Sequence, residues 1–350
     1  MKLLIRADAN TKIASGHVKR CEAIADAFSQ QAVEVVFVVS DYEAKEVINN
    51  EAYRCIVLNN DYKEKDQELA QVCGIICKEK ANGILIDSYE ITEKYLLEIS
   101  KICAVAYIAT YKPIDFHGKM IINYAQKGKI NFFKTKYNEL YRSGYLLQGD
   151  QYVPLRKEFA DIKDKHIQQV ERVLITTGGS DPDKMAEAIF LACMQCDKLK
   201  EKNFTIVVGK YFQYAEELEK ISKEHSQLQL EYDVRNMAEL MEKHDIAVSA
   251  GGISLFEVCA CGIPAISFSM ADNQIGMANY FDEKGCVIYA GDEREDKIGV
   301  VKNIVEQLSY WTKHITELNY LSTKMKKRVD GKGAFRIADK LMHMMKESIE

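Results

Sequence analysis

Three glycine-bearing turns and one histidine supply the residue types and spacing from which phosphate chemistry can be built. Near the N-terminus, Ala14-Ser15-Gly16-His17 follows the strand-like run from Lys2 to Ala7. In the second half, Thr176-Thr177-Gly178-Gly179-Ser180-Asp181 and Ser249-Ala250-Gly251-Gly252-Ile253-Ser254 each follow an apolar run, and Glu257 lies three residues beyond Ser254. Each turn falls where a strand hands over to a helix, and the exposed amides of a helix N-terminus bind anions. On one reading, bare amides from Gly251 to Ser254 hold phosphate while Glu257 accepts from sugar hydroxyls. On the other, Ser254 and Glu257 form a capping box and nothing more. Asp181-Pro182 reads as an N-cap followed by proline at the first helical position, with Gly178, Gly179 and Ser180 letting backbone pass close to a ligand. No Gly-Lys-Ser/Thr follows any of these turns and the dinucleotide glycine pattern is missing, which excludes a Walker ATPase and a nicotinamide-binding fingerprint.

His17 stands just inside the first of these helix starts. The positive end of a helix dipole favours an uncharged imidazole, which can take a proton from water; the competing reading is a surface or capping histidine. Asp8, at the exit of the first strand, is placed to bind substrate or orient His17, or else to cap the loop from Ala9 to Ser15. Asp87-Ser88-Tyr89 closes the fourth strand and falls on the same ligand-binding edge. Asn273 and Gln274 follow a strand and precede a helix; both donate and accept, which suits sugar hydroxyls or an acetamido group, and equally suits helix capping. The other six histidines lie in less suggestive places, most of them solvated.

These residues need strands and helices in alternation, and the apolar pattern supplies them twice. Lys2 to Ala7, Val35 to Val39, Tyr53 to Leu58, Gly83 to Ile86 and Val105 to Ile108 read as strands. His17 to Gln30, Tyr42 to Asn49, Asp66 to Glu79 and Glu93 to Lys101 read as the helices among them, and Ile121 to Asn123 and Gly144 to Leu147 finish the series. The strand runs are too apolar for a half-exposed sheet, so they predict a parallel sheet covered on both faces. The alternation lapses between 148 and 169, read as a linker. It resumes with strands near 172–176, 205–208, 228–230, 246–249, 265–267 and 287–289, and helices at 183–199, 215–224, 237–243, 254–260 and 274–284. Helices then fill most of 293–349, the last of them expected to return to the first domain. The fold class is α/β: two Rossmann-like domains, 1–150 and 151–350, with a deep cleft.

Composition bounds the partners. The chain has 350 residues and a net charge of −5, with no basic tract, so a nucleic-acid role has little electrostatic support. The ten cysteines show no paired CxxC and no zinc-finger spacing, and read as reduced residues of a cytoplasmic protein without a metal. No signal peptide or 18-residue apolar span is present. The stretch from Asp115 to Lys136 mixes Phe116, Ile121, Ile122, Ile130, Phe132 and Phe133 with five lysines; ordinary core with solvated lysines is weighed above a membrane-docking face.

The order of these motifs carries a resemblance. Arg6-Ala7-Asp8, Gly16-His17-Val18, Arg20-Cys21, Leu155-Arg156, Thr177 to Pro182, Ser249 to Gly252 with Glu257, Gly262-Ile263-Pro264, Ala271 to Gln274 and Gly331 to Ala334 with Arg336 are similar to the motifs of one bacterial family. These are the UDP-2,4-diacetamido-2,4,6-trideoxy-β-L-altropyranose hydrolases of pseudaminic acid biosynthesis, relatives of the GT-B glycosyltransferase that makes lipid II. The resemblance implies a GT-B fold with its two domains facing across a cleft, no cofactor and no metal. It implies His17 as the group that activates water, Tyr89 and Asn273 in the sugar pocket, Gly251-Gly252 on the diphosphate, Glu257 on the ribose and uracil in the Val208 to Asn236 region. Water would attack C1 with inversion and UDP would leave. The chain departs from the family at Asp87-Ser88-Tyr89, where the family has Asp-His-Tyr, at Ala109-Thr110, where paired aspartates are expected, and at Ile122-Asn123-Tyr124. It resembles equally a looser group from flagellin-glycan and spore-coat polysaccharide gene sets, some of which would be transferases with a carbohydrate, flagellin or lipid-linked acceptor. A non-catalytic nucleotide-sugar binding protein is the reading from another class.

Overall fold

A computed structural model of the chain describes residues 1–10, 13, 15–29, 31–49, 51–109, 114–124 and 134–348, apart from the side chain of Asn273. Ala14 and the 125–133 part of the lysine and aromatic stretch, with Ile130, Phe132 and Phe133, lie outside the described residues. The chain divides into two compact units, one of residues 1–157 and 331–350, the other of residues 158–330.

The first unit is built on β1 (Lys2–Ala7), β2 (Glu34–Val39), β3 (Arg54–Val57), β4 (Gly83–Asp87), β5 (Ala104–Ile108), β6 (Met120–Asn123) and β7 (Leu146–Gln148). All pair in parallel, in the order β3-β2-β1-β4-β5-β6-β7. Leu4, Val36, Val38, Ile84, Ile86 and Val105 put their side chains into one buried cluster, as expected for strands covered on both faces. The helices among the described residues are α1 (Gly16–Asp26), α2 (Tyr42–Val47), α3 (Lys65–Glu79), α4 (Glu93–Ser100) and α5 (Asn138–Ser143), with α13 (Gly333–Lys346) from the end of the chain. Gly333 lies where a Cβ would come within 2.1 Å of the Val153 carbonyl oxygen, so only glycine lets α13 start there.

Chain order reverses between β1 and β4. Side-by-side strands whose connections leave in opposite directions open a crevice at their C-terminal ends. Ala7 pairs with Asp87 across that boundary, so the residues that follow β1 and end β4 share one edge.

The second unit repeats the plan with β8 (Arg172–Thr176), β9 (Asn203–Val208), β10 (Leu228–Tyr232), β11 (Ile246–Ala250), β12 (Ala265–Ser269) and β13 (Ile288–Asp292). Their order is β10-β9-β8-β11-β12-β13, again parallel, and the reversal falls between β8 and β11. Both glycine turns of this half therefore leave strands at the switch point. Its helices are α6 (Met185–Met194), α7 (Ala215–Glu224), α8 (Met237–Glu242), α9 (Ser254–Cys261), α10 (Asp272–Glu283), α11 (Glu293–Trp311) and α12 (Ile315–Arg328). Trp311, fully buried, packs with Ile304, Leu308 and Leu318 over the sheet.

Element ends differ from the periodicity where turn chemistry intervenes. α1 stops at Asp26, short of Gln30, because Phe28 and Ser29 donate three residues back, to Ala25 and Asp26. Gly144 caps α5 in the left-handed conformation (φ +77°) and does not begin a strand. α6 begins at Met185, later than the predicted start, because Asp181 caps from a distance, accepting from the amides of Met185 and Ala186. Pro182 is thus outside the helix. Ser254 is the first residue of α9, whose N-cap is Ile253, and it makes no capping bond. The capping-box reading, which needs Ser254 at the N-cap, does not fit this helix start.

Candidate active site

In the first unit, α1 carries His17 and Arg20 one turn apart, so both side chains leave the same helix face. Asp87, the last residue of β4, meets both. His17 Nδ1 lies 2.8 Å from Asp87 Oδ1. Arg20 grips both carboxylate oxygens, through Nε on Oδ2 and Nη2 on Oδ1. Its Nη1 donates to Tyr124 Oη at 2.9 Å. The Cys21 thiol lies 3.6 Å from Oδ2. Burial alone would push the Asp87 carboxyl upward; the Arg20 guanidinium and then His17 outweigh it and hold Asp87 at about 2.

The Tyr89 ring stands edge-on to the imidazole, with centroids 4.3 Å apart at 83°. Two polar atoms of this cluster are buried with no partner among the described residues, His17 Nε2 and Ser88 Oγ. Buried polar atoms are normally satisfied, so an unsatisfied imidazole nitrogen opposite a carboxylate-bound one is what a general base looks like before its ligand arrives.

Asp8 corrects the sequence reading. Its carboxylate is consumed away from His17. Arg6 Nη1 donates to Oδ1 at 2.6 Å, Lys65 Nζ to Oδ2 at 2.8 Å, and Ser40 Oγ also donates to Oδ1. Glu68 completes the group by accepting from Arg6 Nε at 2.8 Å and from Tyr95 Oη at 3.0 Å. Arg6, Asp8, Lys65 and Glu68 are each at most 1% exposed. Despite the opposing effect of burial, Arg6 and Lys65 hold the Asp8 carboxyl far below the ordinary carboxylate range. The carboxylate that orients His17 is Asp87, and Asp8 belongs to a buried ion network beside it.

In the second unit the glycine turns do different work. The Gly251 amide donates to Phe268 O and the Gly252 amide to Ala250 O, each at 2.8 Å. The donors left without an acceptor among the described residues are those of Ile253 and Ser254, a shorter set than the four expected from the sequence. A Cβ on Gly251 would lie 2.9 Å from the Gln274 carbonyl oxygen and 3.3 Å from Ala278 Cβ, so this glycine admits α10. A Cβ on Gly252 would meet nothing within 4 Å. Gly251→Ala is therefore expected to cost about 1–3 kcal/mol by overpacking against backbone, and Gly252→Ala to leave the melting temperature within a degree or two, roughly the effect of a neutral surface change. Thermal denaturation of the two variants checks this, and equal losses would overturn it.

Gly178 has φ +95° with open space on its Cβ side. Its carbonyl and that of Gly179 approach Gly209 so closely that a Cβ there would come within 2.4 and 2.5 Å of the two oxygens, which makes Gly209 a residue that sequence reasoning missed. Ser180 and Asp181 line a cavity of about 410 Å³ with Tyr211, Gln213 and Tyr214. Asp181 itself fills the α6 N-terminus and accepts from Tyr214 Oη, so that helix end already holds its anion. Gln274 Oε1 accepts from the Met270 amide at 2.8 Å. Glu257 is half-buried on α9. The side chain of Asn273 lies outside the described residues. His244, one of the six histidines of which most are expected to be solvated, is buried and bridges Leu240 O and Thr205 Oγ1. Among the described residues no group of three His, Cys, Asp or Glu side chains could hold a metal ion, and no helix is long and apolar enough to cross a membrane. None of the ten cysteines is in a disulfide.

Residues 173–339 match the glycosyltransferase family 28 C-terminal domain. The whole chain has the GT-B fold: MurG from Acinetobacter baumannii superposes with a TM-score of 0.67 over 98% of this chain and 100% of that one, at 12% identity. The spore coat polysaccharide biosynthesis protein SpsG of Bacillus subtilis is 24% identical over 100% of both chains. The UDP-2,4-diacetamido-2,4,6-trideoxy-beta-L-altropyranose hydrolase of Campylobacter jejuni is 23% identical over 72% of this chain and 86% of that protein. A Methanocaldococcus jannaschii protein, MJ1062, is 25% identical over 76% of this chain, but the match spans 55% of its own length. The chain as a whole shares the fold, and the family 28 match lies within residues 173–339.

Proposed function

We propose that this protein hydrolyses a UDP-linked 2,4-diacetamido-2,4,6-trideoxy hexose, or a close relative of it, to the free sugar and UDP. The observation that carries the reading is the buried, unpartnered Nε2 of His17, backed through Nδ1 by Asp87 at the switch point of the first sheet. Nε2 takes a proton from water as the water oxygen attacks C1. The C1–O bond to the diphosphate breaks with inversion, and its electron pair leaves with UDP. The developing positive charge at C1 is oxocarbenium-like, and the negative charge grows on the diphosphate. The Ile253 and Ser254 amides and the positive end of α9 stabilise that charge. In this assignment Gly16 and Tyr89 border the sugar, Glu257 takes the ribose, and Gln274 with Asn273 addresses the sugar substituents. Gly178, Gly179 and Ser180 admit the nucleotide, and Gly252 gives the diphosphate its close approach to backbone. No cofactor takes part, and the site is cytoplasmic.

The family 28 domain favours a second reading, in which an acceptor hydroxyl on a carbohydrate, protein or lipid takes the place of water. Incubation with a panel of UDP-sugars in ¹⁸O water separates the two. UDP release in buffer alone, with label at C1 of the sugar, is the expected result. Release only with an added acceptor establishes the transferase, and label in UDP refutes cleavage at carbon. If no UDP-sugar is turned over under either condition, both enzyme readings fail.

A further inference from the structure

We propose that Arg20 is the positioning residue of this site, holding Asp87 so that His17 is fixed as the Nδ1–H tautomer with its lone pair on Nε2. The inference rests on the proposed role of His17. Its geometric basis is a triangle: Arg20 Nη2 and Asp87 Oδ1 both reach His17 Nδ1 at 2.8 Å, and they also bond to each other. A single ring nitrogen cannot donate to the carboxylate and accept from the guanidinium at once. The two assignments leave different atoms free for chemistry: Nδ1–H exposes a base at Nε2, and Nδ1 as acceptor exposes a donor there.

The fixed carboxylate favours the first. Three of the five guanidinium N–H donors are placed without His17, two on Asp87 and one on Tyr124, so Arg20 is anchored whether or not Nδ1 accepts from it. Asp87 Oδ1 retains acceptor capacity after the Arg20 bond, because each carboxylate oxygen takes two partners. With Nδ1 as acceptor, its lone pair would face a carboxylate oxygen at 2.8 Å, lone pair against lone pair. With Nδ1 as donor, that oxygen receives it and the ring plane is set. The two-point grip of Arg20 is what keeps Oδ1 from rotating away. Arg20 also neutralises Asp87, so the carboxylate orients the ring without adding a net negative charge behind it. Burial opposes the charge on Arg20, but Asp87 keeps it protonated.

The test uses the full chain, with ¹⁵N-labelled histidine for NMR and UDP release for kinetics. In the wild type the His17 ring is expected to show a protonated Nδ1 and an unprotonated Nε2. Arg20→Ala is expected to lower kcat about 10²-fold, the cost of a misplaced catalytic group, with KM little changed and His17 turned into a mixture of tautomers. Free guanidinium should restore part of that rate, and Arg20→Lys, which has charge but no planar fork, should recover less than guanidinium does. A wild-type spectrum with Nε2 protonated overturns the proposal. So does an Arg20→Ala protein with lowered rate, an unchanged tautomer and no response to guanidinium, which is the pattern of a purely structural arginine. If Arg20→Ala does not fold, Arg20→Lys is read by the same spectrum and the same rescue. Should the wild type turn over no UDP-sugar, the substrate reading fails by itself while the spectrum still decides Arg20.

Discussion

Asp87→Asn lowers kcat for UDP release by roughly 10³–10⁴ and leaves KM nearly unchanged, the size seen when a catalytic histidine is held in the wrong tautomer. The side chain stays isosteric, so the loss is one of hydrogen-bond sense. An amide has one oxygen where the carboxylate has two, so Arg20 keeps one of its two bonds; with the oxygen on Nε, the NH₂ takes the Oδ1 position and faces His17 Nδ1. That nitrogen then accepts, the proton moves to Nε2, and the base is gone. His17→Ala removes the base outright and is expected to cost about 10²–10⁴, so the two single variants fall in the same range and their combination costs little more than either. Steady-state kinetics on the three proteins, each checked for an unchanged far-ultraviolet spectrum, measures this. Asp87→Asn with kcat within about tenfold of wild type would sink the dyad. Strict multiplication of the two losses would show that the residues act separately.

The sequence made the sheets legible because strands covered on both faces are continuous apolar runs. Leu3-Leu4-Ile5, Ile84-Leu85-Ile86 and Val105-Ala106 are such runs, and each is a strand. The glycine turns were legible because Gly178 needs a positive φ and Gly251 a missing Cβ. What each glycine does was not, since close packing against α10 and close approach to a ligand ask for the same residue. Which carboxylate partners His17 stays open in the sequence for a related reason. Asp8 and Asp87 both sit at the switch point, and either could face His17. The deciding signal lay in the spacing of basic residues. Arg6 is two residues from Asp8 and leaves β1 on the side that faces α3, where Lys65 and Glu68 wait one helical turn apart. Arg20 is three residues from His17 on a helix, a spacing that directs both toward one partner across the crevice edge. Asp87 is that partner, and Ser88 and Tyr89 follow it onto the same rim.

Asp8→Asn is expected to destabilise the first unit by about 3–5 kcal/mol, because it breaks a buried ion network on one side only. Arg6, Lys65, Asp8 and Glu68 form two positive and two negative groups, all out of water. Removing one negative charge strands Arg6 and Lys65 against Glu68 alone, and Lys65, whose proton burial and then Arg6 already loosen, is the group that yields. Lys65→Met alone leaves the opposite imbalance. The double variant restores neutrality, so its loss should fall below the sum of the singles by about 0.5–3 kcal/mol, the usual coupling of residues in one network. The pH dependence follows with a definite sign. Asp8 and Asp87 titrate lower in the folded chain than in the unfolded one, so their contribution is present above the unfolded value of about 4 and is lost as pH falls toward the folded values, about 2 for Asp87 and lower still for Asp8. The wild type should therefore lose stability between about pH 4 and pH 2, and Asp8→Asn should flatten that slope while lowering stability at neutral pH. Denaturant titrations across this range test both parts. The folded fraction of Asp8→Asn should keep far more of its kcat than Asp87→Asn does; a kinetic loss as deep as that of Asp87→Asn in a protein of wild-type stability would return Asp8 to the reaction and take the ion network out of the account.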